Sequence, residues 1–219
     1  MTSQTSRPQA GIAAVLAAAI LWGTTGTAAT FATDVGPLAI GSVAMGSGGI
    51  LQALLALPKI LSGRRQIAAN WLNLLMGALA VAVYPLTFYA SMHYAGVAAG
   101  TVISIGSAPL LSALIEYYFD GQPLSRQWLV GAVTGVVGMV LLCIAEDQAA
   151  VSGDSLQTLF GMLLGLVAGF TYALYSWSAR RMMHNGVNAV AAMGSTFGAG
   201  GLLLIPVLLL TGAPLLASA

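Results

Sequence analysis

Seven apolar runs divide this chain: Gly11–Thr33, Pro37–Leu57, Asn70–Met92, Val97–Tyr118, Gln127–Ile144, Gln157–Ala179 and Val187–Leu210. Each is close to the roughly 20 residues an α-helix needs to cross the hydrocarbon of a bilayer. In hydrocarbon every backbone amide must be satisfied inside its own segment or in a closed barrel, so runs of this length and composition fold as helices. Of the 219 residues, 58% are hydrophobic and 6% are charged, whereas a water-soluble domain carries about a quarter charged residues. The expected class is all-α and polytopic, with seven transmembrane helices. Most of the 27 glycines lie within the runs, where small residues let helix backbones approach closely.

The basic residues orient the bundle. With seven crossings the connections alternate sides. Arg7, Lys59, Arg64, Arg65, Arg126, Arg180 and Arg181 then all fall on the N-terminal side, and they are every Lys and Arg in the chain. The other side carries Asp34, His93, Glu146, Asp147 and Asp154. Positive charge accumulates on cytoplasmic loops, so the N-terminus is expected in the cytoplasm of a cell with this protein in its inner membrane. Omitting one helix would scatter these residues over both faces. The expected order is a cytoplasmic tail (1–10), a five-helix unit (11–144), an external loop (145–156), two further helices (157–210) and an external tail (211–219).

The fourth run, Val97–Tyr118, is apolar enough to span, yet at about 100° per residue Thr101, Ser104, Ala108, Ser112 and Glu116 share one face. Such a stripe must face other helices or a water-filled path. Pro85 in the third run and Pro109 in the fourth each remove a backbone donor and displace a helical carbonyl.

Pieces of the first two runs recur in the last two. Gly11 and Trp22 answer Gly161 and Tyr172 at an offset of 150, and Gly48-Gly49-Ile50-Leu51 answers Gly200-Gly201-Leu202-Leu203 at 152. Five spans separate the equivalents, so the copies insert with opposite orientation, the inverted repeat of many secondary transporters. The second copy reaches only two of its five helices by Ala219.

Leu21-Trp22-Gly23-Thr24 resembles the Trp-Gly motif that opens EamA-type members of the drug/metabolite transporter superfamily. Gly77 to Leu142 resembles that family's third to fifth helices, through Phe88-Tyr89-Ala90, Tyr94-Ala95, Val97-Ala98-Ala99-Gly100, Ala108-Pro109-Leu110 and Gly121-Gln122-Pro123-Leu124-Ser125, then Gly131 and Gly138. The resemblance implies ten helices in two inverted repeats, export or exchange of amino acids or other small metabolites, and a central cavity lined largely by the first, third and fourth helices and their mates. Two departures are Gln122, where the family usually has Glu, and the three further helices expected beyond Ala219. A fragment of a ten-helix protein, or a truncated form, is expected.

Transport needs a cavity with a few oriented polar groups and aromatic surfaces. The residues expected to line it are Trp22, Thr24 and Thr25 in the first span, Tyr84 and Phe88 in the third, Thr101, Ser104 and Pro109 in the fourth, and Tyr172 and Tyr175, beside Ser176, in the sixth. For the aromatics the alternative is packing or an interfacial belt; Trp71, Trp128 and Trp177, nearer span ends, are read as belt residues. For the hydroxyls it is close packing, with each bonded to its own helix carbonyls. Glu116, the one acid within a span, is a candidate gate or coupling residue; its alternative is a surface carboxylate paired with Arg126. Arg180-Arg181 reads most simply as an orientation signal.

An intramembrane enzyme is disfavoured. Ala44-Met45-Gly46-Ser47-Gly48 lacks the first glycine of a rhomboid-type serine motif, and every aspartate is expected in a loop. His93 and His184 are expected on opposite faces, so no metal site is expected. Cys143 is the single cysteine, which excludes an intrachain disulfide. The expected function is alternating-access transport of a small-molecule substrate without a cofactor, in a lipid bilayer, with no nucleic-acid partner because no basic cluster exceeds two residues. The alternative is a truncated or accessory membrane subunit without transport of its own. Oligomeric state stays open, homo-oligomer pairing being one way to cover an open face.

Overall fold

The computed structural model describes residues 8–32, 34–149 and 155–217. The chain divides into two units, Met1–Thr33 and Asp34–Ala219. In the first, α1 (Pro8–Gly23) is followed by α2 (Thr25–Thr30). The first span is thus interrupted at Thr24, whose amide reaches only three residues back, to the Leu21 carbonyl at 3.2 Å. Gly-Thr-Thr-Gly is a weak helix-forming run, which is why the break falls there.

The second unit comprises α3 (Pro37–Ser62), α4 (Arg64–Ala69), α5 (Trp71–Ala95), α6 (Val97–Asp120), α7 (Arg126–Ala149), α8 (Ser155–His184), α9 (Ala189–Thr211) and the short α10 (Ala213–Ala217). Among the described residues every regular element is helical. Six segments are long and apolar enough to cross a membrane, Gly11–Thr30, α3, α5, α6, α8 and α9, with a shorter apolar stretch at Arg126–Leu141. Helices α5 and α6 continue through Pro85 and Pro109.

Several helices outrun their apolar segments. The basic loop expected over Pro58–Ala69 is helical through Ser62 and again in α4, Asp120 is the last residue of α6 rather than part of a loop, and α8 runs on to His184. Hydropathy marks only the stretch in hydrocarbon; backbone hydrogen bonding continues through flanking Lys, Arg and Gln, which are good helix formers. The expected loop over Ala145–Leu156 is likewise helical to Ala149 and from Ser155, and residues 150–154, with Asp154, lie outside the described residues, as do 1–7 of the expected N-terminal tail and 218–219 of the C-terminal one.

Glycine contacts set the packing registers. Helices α3 and α9 are antiparallel: Gly46 faces Leu204 and Gly201, Gly49 faces Gly201 and Phe197, Gly198 faces Ala53, and Gly194 faces Ala56. At the centre of this crossing Gly49 meets Gly201 itself. Helices α5 and α8 are also antiparallel, with Gly161 at Ala95, Gly165 at Ser91 and Gly77 at Ser178. Helices α6 and α8 run the same way. Gly165 packs on Ile103 and Gly169 on Ser104 and Ser107, while Arg181 near the end of α8 bonds Asp120 at the end of α6. Helix α7 therefore returns the chain over the height of α6, touching it midway where Met139 meets Gly106. The turn between α5 and α6 needs Gly96, at φ 89°, and α6 ends on Gly121 at φ 65°, backbone conformations that side-chain-bearing residues rarely adopt.

The helix ends that carry Lys59, Arg64, Arg65, Arg126, Arg180 and Arg181 lie together. Ile67 and Val187 share one apolar cluster with Met182, and the Asn185 side-chain amide donates to Asn70 Oδ1 at 2.6 Å. This is the basic end of the bundle.

Candidate solute site

The third and sixth spans place their aromatic residues against each other because α5 and α8 pack at glycine-permitted distance. Tyr84 and Phe88, one turn apart on α5, stack with centroids 5.6 Å apart. Tyr84 meets Tyr172 edge-on at 5.7 Å and Tyr175 at 6.3 Å, and Tyr172 meets Tyr175 at 5.1 Å. Phe197 of α9 closes the cluster on Tyr175 at 5.2 Å. Four of the expected residues, Tyr84, Phe88, Tyr172 and Tyr175, are thus one assembly, and Tyr84, Phe88 and Tyr175 are buried. The rings fill the space between α5, α8 and α9, so the assembly is closed and packed. Phe197 was missed. Its signal lay in the repeat: at the offset of 152 it answers Met45, and both side chains pack on this cluster.

Thr101 and Ser104 lie on α6, and their surroundings differ. Ser104 is buried and its hydroxyl donates to the Gly100 carbonyl at 2.7 Å, while Gly169 of α8 packs against it; this is the packing alternative. The buried Thr101 Oγ1 has no hydrogen-bond partner, and the same holds for the hydroxyls of Ser42, Ser91 and Ser178. A buried hydroxyl left unpaired costs about 1–3 kcal/mol, so all four gain if a polar solute or water reaches them. Pro109 is exposed on α6 and is not brought to the aromatic cluster. Trp22, Thr24 and Thr25 belong to the N-terminal unit; there the Thr24 and Thr25 hydroxyls donate to the Leu21 and Trp22 carbonyls, each at 2.7 Å.

At the basic end the ionic partners differ from those read in the sequence. Glu116 pairs with Arg180 of α8, not with Arg126. Arg181 Nη1 bonds Asp120 Oδ1 at 2.7 Å, and the Trp177 indole donates to Asp120 Oδ2 at 2.9 Å. Trp177 is accordingly no belt residue: it is buried, lies 5.3 Å from Phe119, and carries the Arg181 guanidinium 5.4 Å from its ring centroid. Nearest-in-sequence pairing failed here because the rotation of each helix about its axis is set by packing. Trp71, by contrast, is exposed.

Three cavities flank these elements. An apolar groove of about 480 Å³ lies among α6, α7 and α8, between Ile103, Met139 and Met162. At the basic end a cavity of about 240 Å³ is lined by Asp120, Trp177, Arg180, Arg181, His184 and Asn185. A neighbouring one of about 440 Å³ lies over Asn70, Trp71 and Asn73. His93 and His184 stand at opposite ends of the bundle, and no group of three metal-ligating side chains occurs among the described residues.

Residues 9–144 match the EamA-like transporter family. Over 172 residues the chain is 31% identical to a Bacillus subtilis (strain 168) protein named as an uncharacterized transporter, YwfM, a match covering 77% of this chain and 55% of that protein. The match thus spans about half the length of this curated relative. No solved structure matches the chain.

Proposed function

This chain belongs to the EamA-like transporter family, and on that premise we propose that it carries a small metabolite, such as an amino acid, across the cell membrane by alternating access. The observation that carries the proposal is the aromatic core where α5, α8 and α9 meet. Aromatic rings of α5, α8 and α9 meet there, and buried hydroxyls without a hydrogen-bond partner occur on the surrounding helices, at Ser42, Ser91, Thr101 and Ser178. A solute of modest polarity would find ring faces in this core and hydroxyl donors along the helices around it. Its entry would satisfy groups that the closed packing leaves unpaired.

Two registers support the inverted repeat. The α3–α9 crossing pairs positions whose numbers sum to about 250, as in 46 with 204 and 49 with 201. An offset of 152 and this sum intersect at Gly49 and Gly201, which touch. An axis in the membrane plane, relating the copies, would pass between them. The parallel run of α6 and α8 supports a seventh crossing, since α7 spans 24 residues, about 36 Å of helix.

The orientation is tested with reporter fusions. A fusion at Gly63 should read cytoplasmic and one at Ala149 periplasmic, as the positive-inside rule requires; the reverse pattern would invert the assignment. Solute recognition is tested on purified protein with a panel of amino acids and metabolites. A solute that binds the native fold at a hundred times its Kd should stabilise it by about 2.7 kcal/mol. A panel that leaves the melting temperature unmoved throughout would count against a solute site.

A further inference from the structure

We propose that Glu116, Asp120, Trp177, Arg180 and Arg181 form a latch that ties α6 to α8 and closes the basic end, releasing when that end opens. The proposal rests on the transport assignment for its purpose and on geometry for its existence. Glu116 and Asp120 stand one turn apart at the end of α6. Trp177, Arg180 and Arg181 share one face of α8 at spacings of three and four. Three charge-assisted hydrogen bonds join the two sets: Arg180 to Glu116, Arg181 to Asp120, and the Trp177 indole to the second oxygen of Asp120.

The acids are misplaced for α6 alone. A carboxylate in the last turn of a helix faces the negative end of its macrodipole. Because α6 and α8 run parallel, two such ends lie side by side. The paired arginines of α8 offset both, so the acids are explained by the tie between helices rather than by helix stability.

What the latch covers is apolar. Directly inward, Ile115, Ala173 and Trp177 pack with Met76, Leu111 and Leu174. Outward lies the polar cavity that Asp120, Arg180 and Arg181 line. The ion pairs themselves are partly exposed, with side-chain accessibilities of 43% and 35% in one and 46% and 20% in the other. Such pairs are individually weak, a property suited to a fastening that opens and closes. At the offset of 150 the first copy carries Thr27, Thr30 and Phe31 in place of Trp177, Arg180 and Arg181. The first copy therefore lacks this set of side chains.

The test uses the full chain in inside-out vesicles, with Cys143→Ser and a reporter Leu111→Cys behind the latch. A membrane-impermeant maleimide should label Cys at 111 slowly when the latch is intact. Glu116→Arg or Asp120→Arg should each speed labelling about tenfold, and the exchanged pair Glu116→Arg with Arg180→Glu should return it to near the starting rate. Equal rates in all variants would overturn the latch. So would faster labelling that the exchanged pair fails to reverse, because the residues would then be holding the fold generally. Should a reversal variant aggregate, Glu116→Gln with Asp120→Asn replaces it, with the same acceleration expected. Labelling requires no substrate, so a latch that behaves as stated in a protein that moves no solute separates failure of the transport assignment from failure of the latch.

Discussion

Replacing Gly49 with leucine should destabilise the purified protein by about 3 kcal/mol or more, while Gly48→Ala should leave it unchanged or slightly more stable. The two positions are adjacent, equally apolar and in one helix. A Cβ at Gly49 would collide with the Phe197 carbonyl oxygen of α9, and 3.5 Å away lies the Gly201 Cα, whereas nothing stands within 4 Å of a Cβ at Gly48. The obstacle is backbone, so no rotamer change relieves it and the two helices must separate. Thermal unfolding of both variants in one detergent reads the difference. Comparable losses at 48 and 49, or none at either, would mean that α3 and α9 do not cross at this point.

The second large effect is expected in the aromatic core. Tyr84 touches Phe88, Tyr172 and Tyr175 and is 4% exposed. Tyr84→Ala would leave a ring-sized void between α5 and α8, and truncations of this kind cost about 3–5 kcal/mol. Tyr84→Phe keeps the ring and should keep the fold to within about 1.5 kcal/mol. The pair separates packing from recognition. If Tyr84→Phe melts like the parent yet moves solute more slowly, the hydroxyl acts on the solute. If it transports at the parental rate, the hydroxyl takes no part in recognition.

Much of the architecture could be read from the residues. Charge scarcity and run length led to membrane helices, and the one-sided placement of Lys and Arg put Arg126, Arg180 and Arg181 at one end, where the structure has them. The aromatic assembly is partly legible, because depth and residue type single out Tyr84, Phe88, Tyr172 and Tyr175. What escaped were quantities that depend on rotation about a helix axis. The sequence offers Arg126 to Glu116, ten residues on, whereas its partner Arg180 is 64 residues away and faces it because Gly165 and Gly169 set the α6–α8 register. Its distance to the span end suggests a belt residue at Trp177, and that distance says nothing about which side of α8 it occupies. Ser104 was one member of a polar stripe, and only the packing shows its hydroxyl turned to its own helix. The break at Thr24 lay in plain view as Gly-Thr-Thr-Gly, yet hydropathy, which scores side chains and ignores backbone propensity, ran straight through it.

Flux through reconstituted vesicles is the most direct measurement of the central claim. Protein confirmed to be folded, tested against a panel of amino acids and small metabolites, should show saturable uptake or exchange of at least one of them that empty vesicles lack. The absence of such flux for every member of a broad panel, from protein that melts cooperatively and carries the Gly49–Gly201 crossing, would contradict the assignment of solute transport to this chain.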